Sequence, residues 1–446
     1  MKKKALILGM GLSGQASAKW LLSIGYHALG VDSKRDTLSS LATIQELAKA
    51  GCFVLSDADP IDVASFDEII ISPGIAPSHP ILQAARSYNI PIIGEAELAL
   101  RSLGGRRAVA VTGTNGKTTV ARLVEHVLTV CGYKARALGN IGLPFSTYLR
   151  QIEPDEIVVA ELSSFQLETM HARVFEAAAL LNISPDHLDR YPNMVEYAAA
   201  KCRLQGCLKP GAPFYVFTEA AREFGYLLEE HCILFGDDLS ASLWTDGHVV
   251  KEEEDVKFSF LKESPCFAKH DYMNALAAWG LCKALGIDSN QFTHALCTFK
   301  KPLHRMEFIR NVGGVDFYDD SKGTNIDAVV QAVMAMKGPV ILIAGGVDKG
   351  SSYLAWKRPF TERVRELIVF GEAAEKMSRE LGLFFKVTRV SFLAEAVHLA
   401  ASSAVAGDVV LLSPGCSSFD MFRDYAHRGE EFQKCVNQLE ERNKKV

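Results

Sequence analysis

The sequence predicts an α/β protein of three domains: a Rossmann-like sheet at residues 1–95, a central phosphate-loop sheet at 96–300 and a second Rossmann-like sheet at 301–446. Three observations predict it. Short apolar, β-branched runs recur along the chain, each followed by a polar or glycine-rich turn and then by helical apolar spacing, as in parallel strands buried on both faces. Two of those turns carry phosphate-binding spacings. The length of 446 residues fits about three domains at ~150 residues each.

Composition adds exclusions. With 48% hydrophobic and 23% charged residues and a formal charge of −5, the chain has the balance of a globular protein, and no nucleic-acid partner is expected. The basic ends, Lys2-Lys3-Lys4 and Lys444-Lys445, read as solvated termini. No apolar run approaches the ~18 residues of a membrane span, so no membrane partner is expected either. Ten cysteines lack C-x-x-C pairs, Cys202 and Cys207 being the closest, and predict a reducing cytoplasm rather than a disulfide framework.

The first strand, Ala5–Leu8, runs into Gly9-Met10-Gly11-Leu12-Ser13-Gly14 and a helix from Gln15 to Ile24. Lys2–Lys4, Ala5–Leu12 and Ala16-Ser17-Ala18 imitate a secretory signal, but cleavage would delete this loop. The loop fits G-x-G-x-x-G, and Asp32 follows the next strand, Ala28–Val31: a dinucleotide signature, with pyrophosphate on the helix N-terminus and the carboxylate on a ribose hydroxyl. Tight strand–helix packing, or any nucleotide diphosphate, satisfies the same spacing. Strand Glu68–Ile71 ends in Ser72-Pro73-Gly74-Ile75, which in an open parallel sheet faces the ligand of residues 9–14; the plainer alternative is a helix start with Pro73 in its first turn. Leu12, Ser13, Asp32, Ser33, Ser72, Pro73 and Gly74 are the substrate-binding candidates here. Residues 91–95 close this domain, and helix Ala96–Leu103 leads onward.

Val109-Ala110-Val111 then enters Thr112-Gly113-Thr114-Asn115-Gly116-Lys117-Thr118-Thr119, and Val120–Val130 has helical spacing. Backbone N–H groups freed by the glycines, the helix N-terminus and the Lys117 ammonium make a polyphosphate cradle, with the Thr118 hydroxyl placed for Mg²⁺. Only Thr114 and Asn115 separate the glycines, a tighter loop than G-x-x-x-x-G-K-[ST]. In the turn at residues 139–144, Asn140 can reach a ligand or simply serve the turn. Strand Ile157–Ala160 ends in Glu161, where an acid completes Mg²⁺ coordination or caps a helix. Strand Ala178–Ile183 ends in Ser184-Pro185-Asp186-His187-Leu188-Asp189-Arg190-Tyr191, a concentration of polar groups seldom carried by a purely structural turn. The helix Glu196–Leu204 holds Lys201; an ammonium cannot bind Mg²⁺, so this lysine reads as a surface or substrate-binding one. Strands Phe214–Phe217 and Cys232–Phe235, a hairpin turning at Asp246-Gly247, and the Lys251-Glu252-Glu253-Glu254-Asp255 run, read as solvated surface, precede a helix from Lys269 to Leu285.

The third domain opens near Lys301-Pro302 with His304-Arg305-Met306-Glu307. Strand Val315–Tyr318 delivers Asp320, suited to a ribose hydroxyl, with Lys322 and Thr324. Strands Val340–Ala344, Leu367–Phe370 and Val409–Leu412 alternate with helices, and loops at their ends carry Lys349 and residues 413–420.

Taken in order, residues 112–119, 161–168, 186–191, 304–307 and 320–325 resemble the motifs of the Mur ligase family of peptidoglycan synthesis. Within the family the chain is most similar to the members that add D-glutamate to UDP-N-acetylmuramoyl-L-alanine. The resemblance spans nearly the whole chain, and several motifs in one order are more specific than any alone. It implies ATP held by Gly113–Thr119, Asn274, Arg305 and Asp320, the arginine suited by its planar, permanently charged fork. An ion pair of Arg305 with Glu307 is the plainer reading. It implies two Mg²⁺ ions on Thr118, Glu161, His187 and a carbamylated Lys201, a modification that turns the ammonium into an anionic oxygen donor. The family's His-Asn-x-x-Asn is met by Asn274 but not by Asp271. Lys322, Thr324, Lys349, Ser418 and Tyr425 are implied to line the amino-acid pocket, and Asn140 and His187 to meet substrate. The implied catalytic set is Lys117, His187, Lys201, Arg305 and Lys322. The reaction implied is transfer of the ATP γ-phosphoryl group to a carboxylate, then attack of an amine on the acyl phosphate. A cytoplasmic monomer whose second and third domains close over the substrates is expected.

Two other classes fit parts of the chain. A nicotinamide-dependent oxidoreductase uses residues 9–14 and Asp32 but leaves 113–119 without work. A nucleotide-switched binding protein explains the phosphate loop, yet no Asn-Lys-x-Asp guanine signature is present. A folylpolyglutamate-type ligase shares the central loop; Asp320-Ser321-Lys322 and the glycine-rich first domain favour the D-glutamate members.

Overall fold

Apolar runs become strands here because β-branched and aliphatic side chains pack on both faces of a pleated layer, and the loops between them gather the polar residues. In a computed structural model of the chain, residues 2–149, 151–188, 190–253, 255–261, 264 and 268–439 are described. Asp189, Glu254 and Lys444-Lys445, singled out above, lie outside them.

Three sheets result. The first comprises β1 (Lys4–Leu8), β2 (His27–Val31), β3 (Val54–Leu55), β4 (Glu68–Ile71) and β5 (Ile92–Gly94), all parallel, in the order 3-2-1-4-5. The central sheet comprises β6 (Ala108–Thr112), β7 (Ala135–Gly139), β8 (Ile157–Glu161), β9 (Ala177–Leu180), β10 (Phe214–Phe217), β11 (Cys232–Gly236), β12 (Leu243–Thr245), β13 (Val249–Glu252) and β14 (Asp255–Ser259). Their order is 14-13-12-11-10-9-6-8-7, parallel except for the 12-13-14 meander. The third sheet, β15 (Glu307–Val312), β16 (Val315–Asp319), β17 (Val340–Gly345), β18 (Val364–Phe370), β19 (Val387–Arg389) and β20 (Val409–Leu412), runs 15-16-20-17-18-19 with only β15 antiparallel.

The described residues of the Lys251–Asp255 run are half-buried or exposed, as expected, while Val250 and Phe258, which pair outside it, are buried. Three other readings change at this point. The first helix starts at Leu12, directly after Gly11, and not at Gln15. The strand expected to reach Ile183 ends at Leu180, and its last residues turn into the loop that follows. β3, β7, β14, β15 and β19 were not anticipated, being short or polar on one side.

By contacts the chain divides into two compact units, Met1–Asn182 with Ala198–Phe299, and Ile183–Tyr197 with Lys300–Val446. In the second unit, apolar cores fill both faces of the sheet: one around Trp356, Phe360 and Leu342, the other around Phe317, Phe370 and Phe432. No helix among the described residues is long and apolar enough to cross a membrane.

Candidate active site

The phosphate loop leaves the fully buried β6, whose neighbours β8 and β9 run parallel to it, with Val111 level with Glu161. Gly116 takes φ +90° at the start of helix Lys117–Val130, and a Cβ there would lie 2.3 Å from Asn274 Oδ1. Only glycine lets Asn274 lie over the loop. The loop N–H groups do not all face a ligand. Thr114 N–H donates to Asn182 O and Asn115 N–H to Asn182 Oδ1, both at 2.8 Å, while Asn182 Nδ2 donates to Asn115 O at 3.1 Å. Asn182, missed in the sequence, thus braces the loop. The first turn of the helix adds the positive end of its dipole at the same place.

Two lysines converge there. Lys117 Nζ donates to Gly113 O and Thr114 O, and Lys201 Nζ also donates to Gly113 O, each at 2.8 Å. Lys201 is 2% exposed, so it is not the surface lysine that its helix suggests. Beside them, at the end of β8, Glu161 is equally buried. Its Oε1 accepts from Asn140 Nδ2 at 3.2 Å, whereas Oε2 is shut from solvent with no hydrogen-bond partner among the described residues. An orphaned, buried carboxylate oxygen is costly. A hard divalent cation relieves that cost, a carboxylate oxygen being the kind of donor Mg²⁺ requires; Thr118, second residue of the helix, is half-buried. Asp271, the departure from the asparagine pattern, accepts from Ala268 N–H at 3.2 Å and so caps its own helix.

The first glycine loop is built differently. Asp32 Oδ2 accepts from Met10 N–H at 2.7 Å and Oδ1 from Lys34 N–H at 2.8 Å, so the carboxylate holds its own turn and the loop. Ser72 Oγ donates to Gly9 O at 2.8 Å, bringing the 72–75 turn against residues 9–14. Leu12, Ser33 and Gly74 are exposed there, and Ser13 and Pro73 half-buried.

In the other unit lie His187, Arg305, Asp320, Lys322, Thr324, Lys349, Ser418 and Tyr425. His187 takes φ +56°. Its neighbour Asp186 accepts from Lys349 Nζ at 3.0 Å. Lys322 Nζ stands 3.9 Å from the centre of the Tyr425 ring, a cation–π contact. Asp320 is turned inward: it accepts from Ser413 Oγ at 2.7 Å and from Met306 N–H at 3.3 Å. Burial pushes its carboxyl up to about 7, with Ser413 and the Arg305 charge pulling the other way. His304 is raised too, chiefly by its 2.7 Å bond to Asp319, a fully buried carboxylate that also accepts from Gln433 Nε2 at 2.9 Å. Ser418 is buried, and Thr324 and Tyr425 are half-buried.

Two phosphate-type strand–loop–helix turns, a buried acid fit for Mg²⁺ and a third parallel sheet define a nucleotide-dependent α/β enzyme. Comparison with known proteins narrows the class. Residues 3–94 match the Mur ligase MurD-like N-terminal domain, 111–282 the Mur ligase middle domain and 304–416 the Mur ligase glutamate ligase domain. A UDP-N-acetylmuramoylalanine–D-glutamate ligase of Protochlamydia amoebophila is 45% identical over 437 residues, covering 98% of each chain. One from Geobacter metallireducens is 37% identical, again over 98% of both. Among solved structures, the UDP-N-acetylmuramate-alanine ligase of Thermotoga maritima aligns with TM-score 0.58 at 18% identity, over 98% of this chain and 99% of that one. The MurF ligase of the same organism, in complex with ADP, aligns with TM-score 0.60 at 16% identity, over 92% and 95%. The fold is shared with both. The chain belongs to the Mur ligase family and is an ATP-dependent ligase of peptidoglycan synthesis; the oxidoreductase and folylpolyglutamate readings are not favoured.

Proposed function

We propose that the chain joins D-glutamate to UDP-N-acetylmuramoyl-L-alanine in the cytoplasm, as a monomer, with ATP and two Mg²⁺ ions. The observation that carries the reading is the full-length identity to proteins named for that reaction. The local chemistry supports it. Residues 1–95 take the UDP-sugar, 96–300 the ATP and 301–446 the amino acid.

Lys117 and the helix start hold the β- and γ-phosphates, and Arg305 meets the transferred group, so the charge that develops on it is offset by fixed cations. Mg²⁺, when bound, polarises the phosphoryl oxygens and neutralises their charge; Glu161, Thr118, His187 and Lys201 would hold the two ions. Two ammonium groups aimed at one carbonyl repel, and carbamylation of Lys201 replaces that repulsion with attraction to Lys117. The substrate carboxylate takes the γ-phosphoryl group and ADP leaves. The amine of the amino acid then attacks the acyl carbon, the tetrahedral adduct expels phosphate, and an amide remains. His187 and Lys322 position the reacting groups, and Thr324, Lys349, Ser418 and Tyr425 receive an acidic amino acid because they offer cations and hydroxyls. Asn274 meets adenine, Asp320 a ribose hydroxyl, and Asn140 the acceptor.

The test supplies ATP, Mg²⁺ and UDP-N-acetylmuramoyl-L-alanine with D-glutamate, L-glutamate, L-lysine or diaminopimelate, and identifies the product by mass. Phosphate release that needs both acceptor and D-glutamate, with a product heavier by one glutamyl residue, is expected. Release that ignores the amino acid, or a product carrying another residue, overturns the reading.

A further inference from the structure

Arg428 is 0% exposed, at the end of the first turn of helix Tyr425–Asn437. A buried guanidinium ordinarily faces a carboxylate, since an uncompensated charge in the interior is expensive. This one does not. Its Nε donates to Ser321 Oγ at 3.0 Å, Nη2 to Ser321 O at 2.8 Å, and Nη1 to Cys416 O at 3.1 Å and Gly345 O at 3.4 Å. No partner among the described residues is a carboxylate oxygen. Burial lowers its pKa to about 10, so it keeps its proton at neutral pH.

The oxygens it holds belong to three different strand ends. Ser321 follows β16, Gly345 ends β17 and Cys416 follows β20, and these strands are adjacent in the sheet. Ser321 Oγ passes the link on by donating to Tyr425 O at 2.7 Å, one turn before Arg428. Each held loop also carries residues of the amino-acid pocket: Lys322 and Thr324 beside Ser321, Lys349 beyond Gly345, and Ser418 beyond Cys416. A single planar fork with five donors can bind three strand ends at once, and a lysine ammonium cannot.

We infer that Arg428 is the positioning residue of the amino-acid pocket: it ties together, from beneath, the three loops that present Lys322, Thr324, Lys349 and Ser418, and so sets affinity for the incoming amino acid without touching it. The inference rests on the reading of the pocket given under the proposed function. Loosening these loops displaces several recognition groups together, while the loop at residues 113–119 belongs to a different sheet and stays as it was.

The experiment is steady-state kinetics of Arg428→Lys and Ser321→Ala, with each of the three substrates varied in turn. Wild-type turnover with D-glutamate is established first; its absence removes the reading of the pocket and not the role of the arginine. In Arg428→Lys the KM for D-glutamate rises roughly tenfold or more, on the scale expected when a recognition group shifts by a fraction of an ångström, and the KM values for ATP and the UDP-sugar stay within about twofold. Ser321→Ala, which removes one acceptor and the relay to Tyr425, shows the same split on a smaller scale. Arg428→Ala regains D-glutamate affinity with added guanidinium ion. An unchanged KM for D-glutamate in both Arg428→Lys and Ser321→Ala, or an equal rise for all three substrates, overturns the inference and leaves Arg428 a contributor to stability alone.

Discussion

Two loops of the first unit share one build and differ in the charges set around them. Residues 9–14 and 113–119 each join a buried parallel strand to a helix through glycines, and in each a glycine is forced by close approach: a Cβ on Gly14 would lie 2.0 Å from Gly9 O, and one on Gly116 2.3 Å from Asn274 Oδ1. The first loop carries no lysine, and its nearby acid, Asp32, is engaged by the N–H groups of Met10 and Lys34. Around the second, two ammonium groups converge on Gly113 O beside a buried acid with an orphaned oxygen. The backbone turn is alike in both; in the function proposed above, the charges around it separate a docking site from a reacting one.

The sharpest way to break that contrast is to remove the cation. Lys117→Ala is expected to lower turnover on the order of 10²–10³-fold or more, as for loss of a single charge-stabilising donor. Binding of the UDP-sugar, followed by calorimetry, should stay as in the wild type. Turnover left intact would dismiss the second loop as the reacting one.

Asn182→Ala addresses the brace in place of the charge. It deletes the two side-chain bonds to Asn115, at a cost of about 1–3 kcal/mol. A lower melting temperature and a raised KM for ATP should appear together, with D-glutamate affinity unmoved. Asp32→Ala is the matching change at the first loop: about 1 kcal/mol of local stability for the lost bonds, a several-fold higher KM for the UDP-sugar, and kcat retained. A fall in kcat comparable to that of Lys117→Ala would erase the distinction between the loops.

The smallest effect is a pH dependence confined to the third sheet. Asp320 has its carboxyl pushed up to about 7 by burial, and His304 is raised by its bond to Asp319, with Glu307 and Glu430 adding to the pull. Both titrate above their unfolded values, about 3.9 and 6.5. Each therefore contributes stability that is complete below the unfolded value and lost as pH rises through the folded one. Melting of the unliganded protein should fall from about pH 4 to about pH 7, where the unfolded Asp320 has lost its proton and the folded one keeps it, and the His304 contribution should extend the fall above about pH 6.5. Asp320→Asn should flatten the slope; an unchanged slope would remove Asp320 as its source.

Much of this was legible beforehand because parallel strands buried on both faces leave uninterrupted apolar runs, and β1, β4, β6, β10 and β20 all do. The lysine loop was equally plain, since its glycines and cation are contiguous. What escaped notice acts at a distance. Asn182 bonds a residue 67 positions away, and Arg428 sits in a helix of polar residues where any arginine reads as solvated. The β13–β14 ribbon hid behind its charges, because only Val250 and Phe258 turn inward. Lys201 shows no sign in its helix of being buried. Its environment is made by the carbonyl of Gly113, which no local pattern reports.

Three of the four bonds made by Arg428 end on main-chain carbonyls. A main-chain oxygen is offered by whatever amino acid occupies the position, so this anchor places little demand on side-chain identity around it. The residues proposed above to meet the amino acid, farther along the same loops, can be exchanged one at a time while the frame that carries them persists. A protein built this way can be retuned toward a different amino acid by altering loop tips, with the guanidinium left in place as a fixed peg.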